Sequence, residues 1–384
     1  MSDEIAPAAA PPAPLKPPPL KTVPLDLLHR ALGARMVPFA GWMLPVQYTT
    51  GVLAEHLHCR AEASAALFDV SHMGQASLHG SAAAAALETL VPGDMLGLQP
   101  GQQRYTVLTT DGGGIIDDLM VAALAPDRFF LVVNASRREV DFHHIEAHLP
   151  PGVTLERHDD RVLLALQGPG AAAVMARLGP AAVAFPFMGF GPVSIGGIDC
   201  LVSRSGYTGE DGFEISAPDE QADRLARLLL DQPEVRPAGL GARDSLRLEA
   251  GLCLYGADID ELTTPVEAGL SWVIARRRRE DWAFPGGVFV REQLKHGSDV
   301  VRVGIRPEGR APARPPVNIV TETGAPAGSL TSGGFAPSLN GPAAMGYVQR
   351  DLAAPGTALR LQVRGRSLPA RVVKLPFVPH RYVR

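Results

Sequence analysis

Apolar residues recur along this chain in two periods, and the switches between them mark out its elements. Leucines three and four apart in LDLLHRAL predict a helix that ends at Gly33, where a glycine suits a C-cap. MVPFAGWMLPVQY sets two prolines and a glycine among its apolar residues and reads as short extended pieces anchored by Trp42 and Tyr48. Residues 52–66 read as a helix, and LFDVSHMGQASLHG then alternates apolar and polar positions as a single strand does. SAAAAALETLVP is a run of strong helix formers stopped by Pro92. RYTVLTTDGGGIIDDLMVAAL predicts a hairpin turning at its glycines, followed by the strand DRFFLVVNAS and the helix REVDFHHIEAHL.

A second round begins near Val153. RVLLALQGPGAAAVMARLG gives strand, Gly-Pro turn and helix, and GGIDCLVSRSGYTGEDGFEIS gives strand, Gly-rich turn and strand. DEQADRLARLLL and GLGARDSLRLEAGL read as helices. From about Val300 the pattern changes to short alternating strands among prolines and glycines, the mark of a β barrel or sandwich. Helices and antiparallel hairpins are mixed before it, so the fold class is α+β with a β domain at the C-terminus.

Composition narrows the function classes. A chain of 384 residues implies two to three ordinary domains or one very large one. The net charge of −4 argues against a nucleic-acid binder that relies on a broad basic surface. No apolar run is long enough to span a membrane. Cys59, Cys200 and Cys253 are far apart and form no CxxC or zinc spacing, and the histidines do not pair at metal-ligand spacings. Nucleotide cradles and nucleophile elbows are also missing from the sequence. Residues 1–20 are Ala/Pro-rich, so an extended mobile tail is expected. It has neither the apolar core of a signal peptide nor the arginines of a transit peptide, and a cytoplasmic location is expected.

Four stretches can carry chemistry. In DGGGIIDDLMV, neighbours on a strand point to opposite faces, so one of Asp117 and Asp118 can face solvent while the other faces inward. An inward carboxylate is costly without a partner or a task; two surface aspartates on a solvated hairpin is the competing reading, and spacing does not choose between them. In SRSGYTGEDGFEI, three glycines permit a tight turn around Tyr207, and Glu214 lies on the face opposite Phe213 and Ile215. Solvent and a cavity are both open to it. Arg243 stands near a helix start, where the dipole favours acids, which hints at an anionic or polar partner; a surface pair with Asp244 is the alternative. The run from Arg276 to Arg279 makes a positive patch, either a solvated loop or a surface for an acidic partner.

Taken together, MVPFAGWMLPVQY, LFDVSHMGQ, GGGIIDDLMV, LLALQGP, SGYTGEDGFEIS, GLGARDSLRLEAGLCLYGADIDELTTPVEAGLSW, TSGGFAPSLN, AMGYV and LPFVPHRYV closely resemble the T proteins of the glycine cleavage system. These are tetrahydrofolate-dependent aminomethyltransferases. The segments stand in the family's order and cover the chain from Thr22 to the end. The resemblance implies a three-domain cloverleaf around a folate channel: two interleaved α+β domains over residues 21–299 and a β barrel over 300–384. It implies that the one-carbon unit on the lipoyl arm of the H protein passes to N5 of tetrahydrofolate, with release of ammonia. Asp118 matches the family's reacting aspartate, placed to accept a hydrogen bond from folate N10 or to steady a developing iminium, with Asp117 as its outward neighbour. Glu214, Arg243 and Tyr382 match folate contacts, and Tyr207 and Tyr105 are further lining candidates. No metal and no flavin are implied. The arginine run is the candidate for meeting the H protein. One departure is Asp26, where many family members carry an aromatic residue.

Two relatives remain as alternatives. Folate-linked demethylases of dimethylglycine or sarcosine share the fold but are fused to a flavin domain, for which this chain shows no dinucleotide fingerprint. A non-enzymatic folate-binding protein of iron–sulfur assembly is marked by a KGCYxGQE-type motif, where this chain reads ARDSLRLEAGLCLYG.

Overall fold

The computed structural model describes residues 19–383. The Ala/Pro-rich segment, up to residue 18, lies outside the described residues. Two large sheets and one closed barrel carry the fold. The five-stranded sheet is antiparallel, in the order Gln103–Thr109, Ile115–Ala125, Arg128–Val133, Gly74–His79 and Thr154–Arg157. The six-stranded sheet runs Phe190–Ile195, Ile198–Ser203, Gly212–Pro218, Arg161–Gln167, Ala65–Asp69 and Val235–Pro237, with only the last pair parallel. The barrel is built from Val300–Pro307, Val317–Val320, Pro326–Ala336, Gly341–Gln349, Ala358–Val363 and Arg366–Val373.

Side-chain alternation explains how the layers stack. In the five-stranded sheet Leu119, Val121 and Ala123 face the helices Ala83–Glu88 and Arg138–Ala147, together with Leu87, Phe142 and Ile145. In the six-stranded sheet Leu164, Leu166, Phe213 and Ile215 face the helices Ala171–Leu178 and Ala222–Leu230. The remaining faces meet each other: Ala122, Phe130 and Val132 pack on Phe68, Leu163 and Ala165. The result is helix, sheet, sheet, helix, with an inner layer between the sheets.

LFDVSHMGQASLHG is not one strand. Ala65–Asp69 belongs to the six-stranded sheet and Gly74–His79 to the five-stranded one, with the chain crossing between them at Val70–Met73. Both strands are buried, so one alternating pattern runs through the crossing unbroken. The helix read over 52–66 stops early, as Gly51–Arg60, because residues from Ala65 are drawn into the sheet. Asp26 opens the helix Asp26–Ala31 and bonds Arg30 one turn on (2.8 Å), a local surface pair.

The helix Leu240–Glu249 ties the parts together. The Glu249 carboxylate, 0% exposed, accepts bonds from His56 (3.0 Å), from Arg60 (3.3 Å) and from the backbone N–H (2.8 Å) and hydroxyl (2.6 Å) of Ser338 on the barrel. Its backbone carbonyl accepts the N–H groups of Phe377 (2.9 Å) and Val378 (3.0 Å). Two residues earlier Arg247 donates to Asp258 (2.7 Å), which also accepts from the barrel residues Thr331 (2.5 Å) and Ser332 (2.8 Å). Donors hold the Glu249 carboxyl below its ordinary range against burial, so this contribution is present at neutral pH and lost as pH falls. Glu249→Gln is expected to cost about 3 kcal/mol of stability, because it takes a counter-charge from the buried Arg60 and weakens the bonds from His56 and Ser338. Urea unfolding at neutral pH measures this, and a loss under a few tenths of a kcal/mol contradicts it.

Candidate active site

The hairpin of Gln103–Thr109 and Ile115–Ala125 turns at Gly113, whose φ of +84° lies in the left-handed region that favours glycine. A Cβ at Gly114 would collide with the Glu261 carbonyl, since the loop at 260–263 lies directly on the turn. The Ile115 N–H closes that contact on the carbonyls of Asp260 (3.0 Å) and Thr263 (3.1 Å). In the ladder Val107 faces Asp118 and Tyr105 faces Met120. Tyr105 is therefore the diagonal same-face neighbour of Asp118, and its hydroxyl lies close enough to the Asp118 carboxyl to help hold it ionised. Both point into the inner layer.

Asp117 points to the helix side, as alternation requires, but it does not reach solvent. It is 0% exposed beneath the helix Arg138–Ala147. The expectation of an outward Asp117 is thus corrected: the second face of this strand is covered as well as the first. Asn134 links the two aspartates. Its side-chain Nδ2 donates to Asp117 Oδ1 (2.9 Å) and Asp118 Oδ1 (2.8 Å), and its backbone N–H to Asp117 Oδ2 (3.1 Å). A bulge at Ala123–Ala125 sets this register, with Leu119 facing Val133, so that Asn134 comes level with Asp118. Burial, and then the negative charge of Asp117, push the Asp118 carboxyl up to about 7, against the Tyr105 and Asn134 hydrogen bonds.

The six-stranded sheet supplies the facing wall. Phe213 and Ile215 are buried on its helix side, so Glu214 points into the inner layer, opposite Ala165 and Ser203. Among the described residues its one hydrogen-bond donor there is Ser205 (3.5 Å). Gln167 pins the loop before it, donating to the Ser205 carbonyl (3.0 Å) and accepting from Thr208 (2.9 Å). A Cβ at Gly206 would strike that Gln167 amide, which explains the glycine. Pinned in this way, Tyr207 donates its hydroxyl to the Cys253 carbonyl and offers its ring to Arg243, whose guanidinium stands 4.9 Å from the ring centroid. Burial raises the Glu214 carboxyl and lowers the Arg243 guanidinium, and their mutual charge partly offsets both. Among the described residues Arg243 Nη1 is buried with no hydrogen-bond partner, while Asp244 pairs with Arg247 instead (2.8 Å).

Asp118, Tyr105, Tyr207, Arg243 and Glu214 thus form one electrostatically coupled group across the inner layer. Tyr382 comes from the C-terminal segment, stacked on Phe187 (4.3 Å between centroids) and beside His380. That segment is held to the same glycine loop by Arg381, through Gly209 (2.8 Å) and Glu210 (2.7 Å). The sequence reading missed Asn134 and His72. His72 lies in the crossing between the sheets, close enough to feel the Arg243 charge; burial first, with Arg243 adding to it and Asp69 opposing, lowers its pKa to about 4. The arginine run is not a free patch. Arg277 pairs with Glu88 and Asp94, Arg278 is buried on Glu88, and Arg279 caps the carbonyls of Ile274 and Ser271.

Residues 25–278 match the family described as "GCVT N-terminal domain", and residues 301–379 match "Glycine cleavage T-protein C-terminal barrel domain". The chain is 49% identical over 366 residues to "Aminomethyltransferase, mitochondrial" of Gallus gallus, covering 93% of this chain and 92% of that protein. It is 46% identical over 363 residues to the protein of that name from Flaveria trinervia, covering 92% and 88%. The crystal structure of the glycine cleavage system aminomethyltransferase T from Bartonella henselae superposes with a TM-score of 0.90 at 43% identity, covering 95% of this chain and 100% of that one. The expected cytoplasmic location is corrected by the names of the first two relatives, which are those of mitochondrial proteins.

The raised Asp118 carboxyl has a direct signature. In a carboxyl-carbon NMR titration one aspartate is expected to titrate near 7, and Asp118→Asn removes that signal. A wild-type spectrum in which every aspartate titrates in the ordinary range near 3.9 contradicts the burial argument.

Proposed function

The chain belongs to the glycine cleavage T-protein family of aminomethyltransferases, and from that premise we propose that it moves the one-carbon unit from the aminomethylated lipoyl arm of H protein to N5 of tetrahydrofolate. Ammonia leaves, the lipoyl sulfur is released as the thiol of dihydrolipoyl H protein, and 5,10-methylenetetrahydrofolate forms. The observation that carries this reading is the pairing of two half-satisfied polar groups, Glu214 and Arg243, opposite Asp118 in one inner layer.

The donor sets fit a reduced folate. A pterin presents two adjacent N–H donors, which suit the Glu214 carboxylate, and acceptors, which suit the unpartnered Nη1 of Arg243. Bound tetrahydrofolate supplies the nucleophilic nitrogen. Glu214 and Arg243 orient it, Tyr207 holds Arg243 in place through its ring, and Tyr105, stacked on Trp272 (5.4 Å), lines the opposite wall. Tyr382, on the C-terminal segment that Arg381 ties to the glycine loop, is the candidate folate contact from that side. Asp118 provides a negative charge where positive charge develops as ammonia departs, in a layer where the surrounding apolar packing strengthens it. It can do so only when ionised, so activity depends on its titration.

Turnover with aminomethylated H protein and tetrahydrofolate tests the assignment, and the absence of methylenetetrahydrofolate above the folate-only background refutes it. The kcat/KM of the wild type is expected to rise with pH through about 7, the Asp118 transition. Asp118→Asn is expected to lose on the order of 10²-fold or more in kcat with folate affinity little changed. Glu214→Gln and Arg243→Lys should instead raise the KM for tetrahydrofolate, by about 10- to 100-fold, through the loss of charged hydrogen bonds. Near wild-type turnover in Asp118→Asn would reduce that residue to a structural role.

A further inference from the structure

Behind Asp118 lies a buried group that the proposed reaction does not use. Asp141, on the helix Arg138–Ala147, is 0% exposed, and among the described residues none gives an N–H or O–H to either of its carboxyl oxygens. The group it meets is the Asp117 carboxyl, also 0% exposed. Two ionised carboxylates in such a place repel each other and lose their hydration, so the pair holds one proton. Donor placement decides where that proton resides. Asp117 accepts two N–H bonds from Asn134, which stabilise its anion, and Asp141 accepts none. Other ionisable groups face the pair. Asp118 comes from the same strand as Asp117, and Arg137 from the turn before the helix. Tyr255 faces it from the loop that follows the helix Leu240–Glu249. Arg137 is already engaged, by the Ile116 carbonyl (3.0 Å) and Glu261 (2.5 Å), with its guanidinium 5.2 Å from the Tyr255 ring centroid.

We propose that Asp141 is a positioning residue of the aminomethyl-transfer site: by keeping the proton of the pair, it holds Asp117 as a pure acceptor and so forces Asn134 to aim its N–H at Asp118. An amide donates at its nitrogen and accepts at its oxygen. The side chain of Asn134 has two N–H bonds, and both are used: one on Asp117 Oδ1 and one shared between Asp118 Oδ1 and the Asp118 carbonyl (3.1 Å). If Asp117 carried the proton, it could donate to the amide oxygen. The amide could then turn over and present that oxygen to Asp118, where it repels the carboxylate. With the proton on Asp141, only one orientation of Asn134 satisfies both aspartates. The direction of titration agrees: burial, then the Asp117 charge, push the Asp141 carboxyl up to about 11, with Arg137 opposing. Asp117 is also raised by burial, but a protonated Asp141 beside it and the Asn134 hydrogen bonds work against that.

This inference rests on the aminomethyltransferase reading for its kinetic arm but not for its spectroscopic one. In Asp141→Leu the donor to Asp117 is gone, and kcat should fall on the order of 10- to 100-fold through misplacement of the Asn134–Asp118 pair. The acid limb of the pH profile should move to higher pH, because Asp117 and Asp118 then compete for a proton and the active form needs both ionised. Asp141→Asn, whose amide can donate an N–H to Asp117 but cannot titrate, should recover most of the lost turnover and return the limb to its wild-type place. A residue with a merely structural role would leave the limb where it is. Infrared spectra of the full chain, taken well above the Asp118 transition, should show a protonated-carboxyl C=O band that Asp141→Asn removes. This measurement stands if Asp141→Leu fails to fold. Wild-type turnover and an unmoved limb in Asp141→Leu overturn the proposal, and so does an infrared band that persists in Asp141→Asn. If the wild-type enzyme shows no aminomethyl transfer, the functional reading fails while the infrared band still decides where the proton sits.

Discussion

A carboxylate removed from solvent has to be neutralised by its neighbours, and Glu249 is neutralised by parts of the chain that are otherwise separate. His56 and Arg60 come from the helix Gly51–Arg60, Ser338 from the barrel, and the C-terminal segment rests on the carbonyl of the same residue. Arg60 also reaches Glu210 (2.6 Å), which Arg381 shares. The helix Leu240–Glu249 is thus fixed at its far end by buried charges, and near its start it carries Arg243. The position of the guanidinium in the inner layer is therefore inherited from ion pairs outside that layer. Buried pairs of this kind add little net stability over an apolar substitute, but they fix geometry strongly, since breaking one strands a charge.

The strand Ile115–Ala125 meets a related problem on both faces at once. Adjacent aspartates on a strand point apart, and here both directions lead into protein. The inner-layer side uses Tyr105 and Asn134 to support one carboxylate, while the helix side lets a second carboxyl, Asp141, share the load with Asp117. The strand thereby brings a negative charge to the site without leaving three bare carboxylates together.

Much of this was readable from residue order, and the misses have physical causes. The glycine turns, the Phe213–Ile215 face and the position of Arg243 followed from local rules and family motifs, because each depends on a few adjacent residues. Asp117 was misread because alternation says which residues share a face but not whether a helix covers it. Asn134 was invisible because a one-residue bulge at Ala123–Ala125 decides its register, and nothing local announces that bulge. The two strands within residues 65–79 merged into one for a similar reason: a chain passing from one buried sheet to another keeps its pattern. The arginine run looked free because its acidic partners, Glu88 and Asp94, lie far away in sequence.

The six-stranded sheet has a strand, Ala65–Asp69, that comes before the whole five-stranded sheet in the chain, while all its neighbours come after. On a ribosome the five-stranded sheet, complete by Arg157, can close from contiguous sequence as it emerges. The early strand must wait, its backbone unpaired, until Arg161–Gln167 and finally Val235–Pro237 are made. Throughout that interval a buried-type apolar edge is open to other nascent chains. Synthesis of this protein therefore passes through a vulnerable stage that ends only when the parallel partner strand arrives, and slow translation or a lack of chaperones should be felt there first.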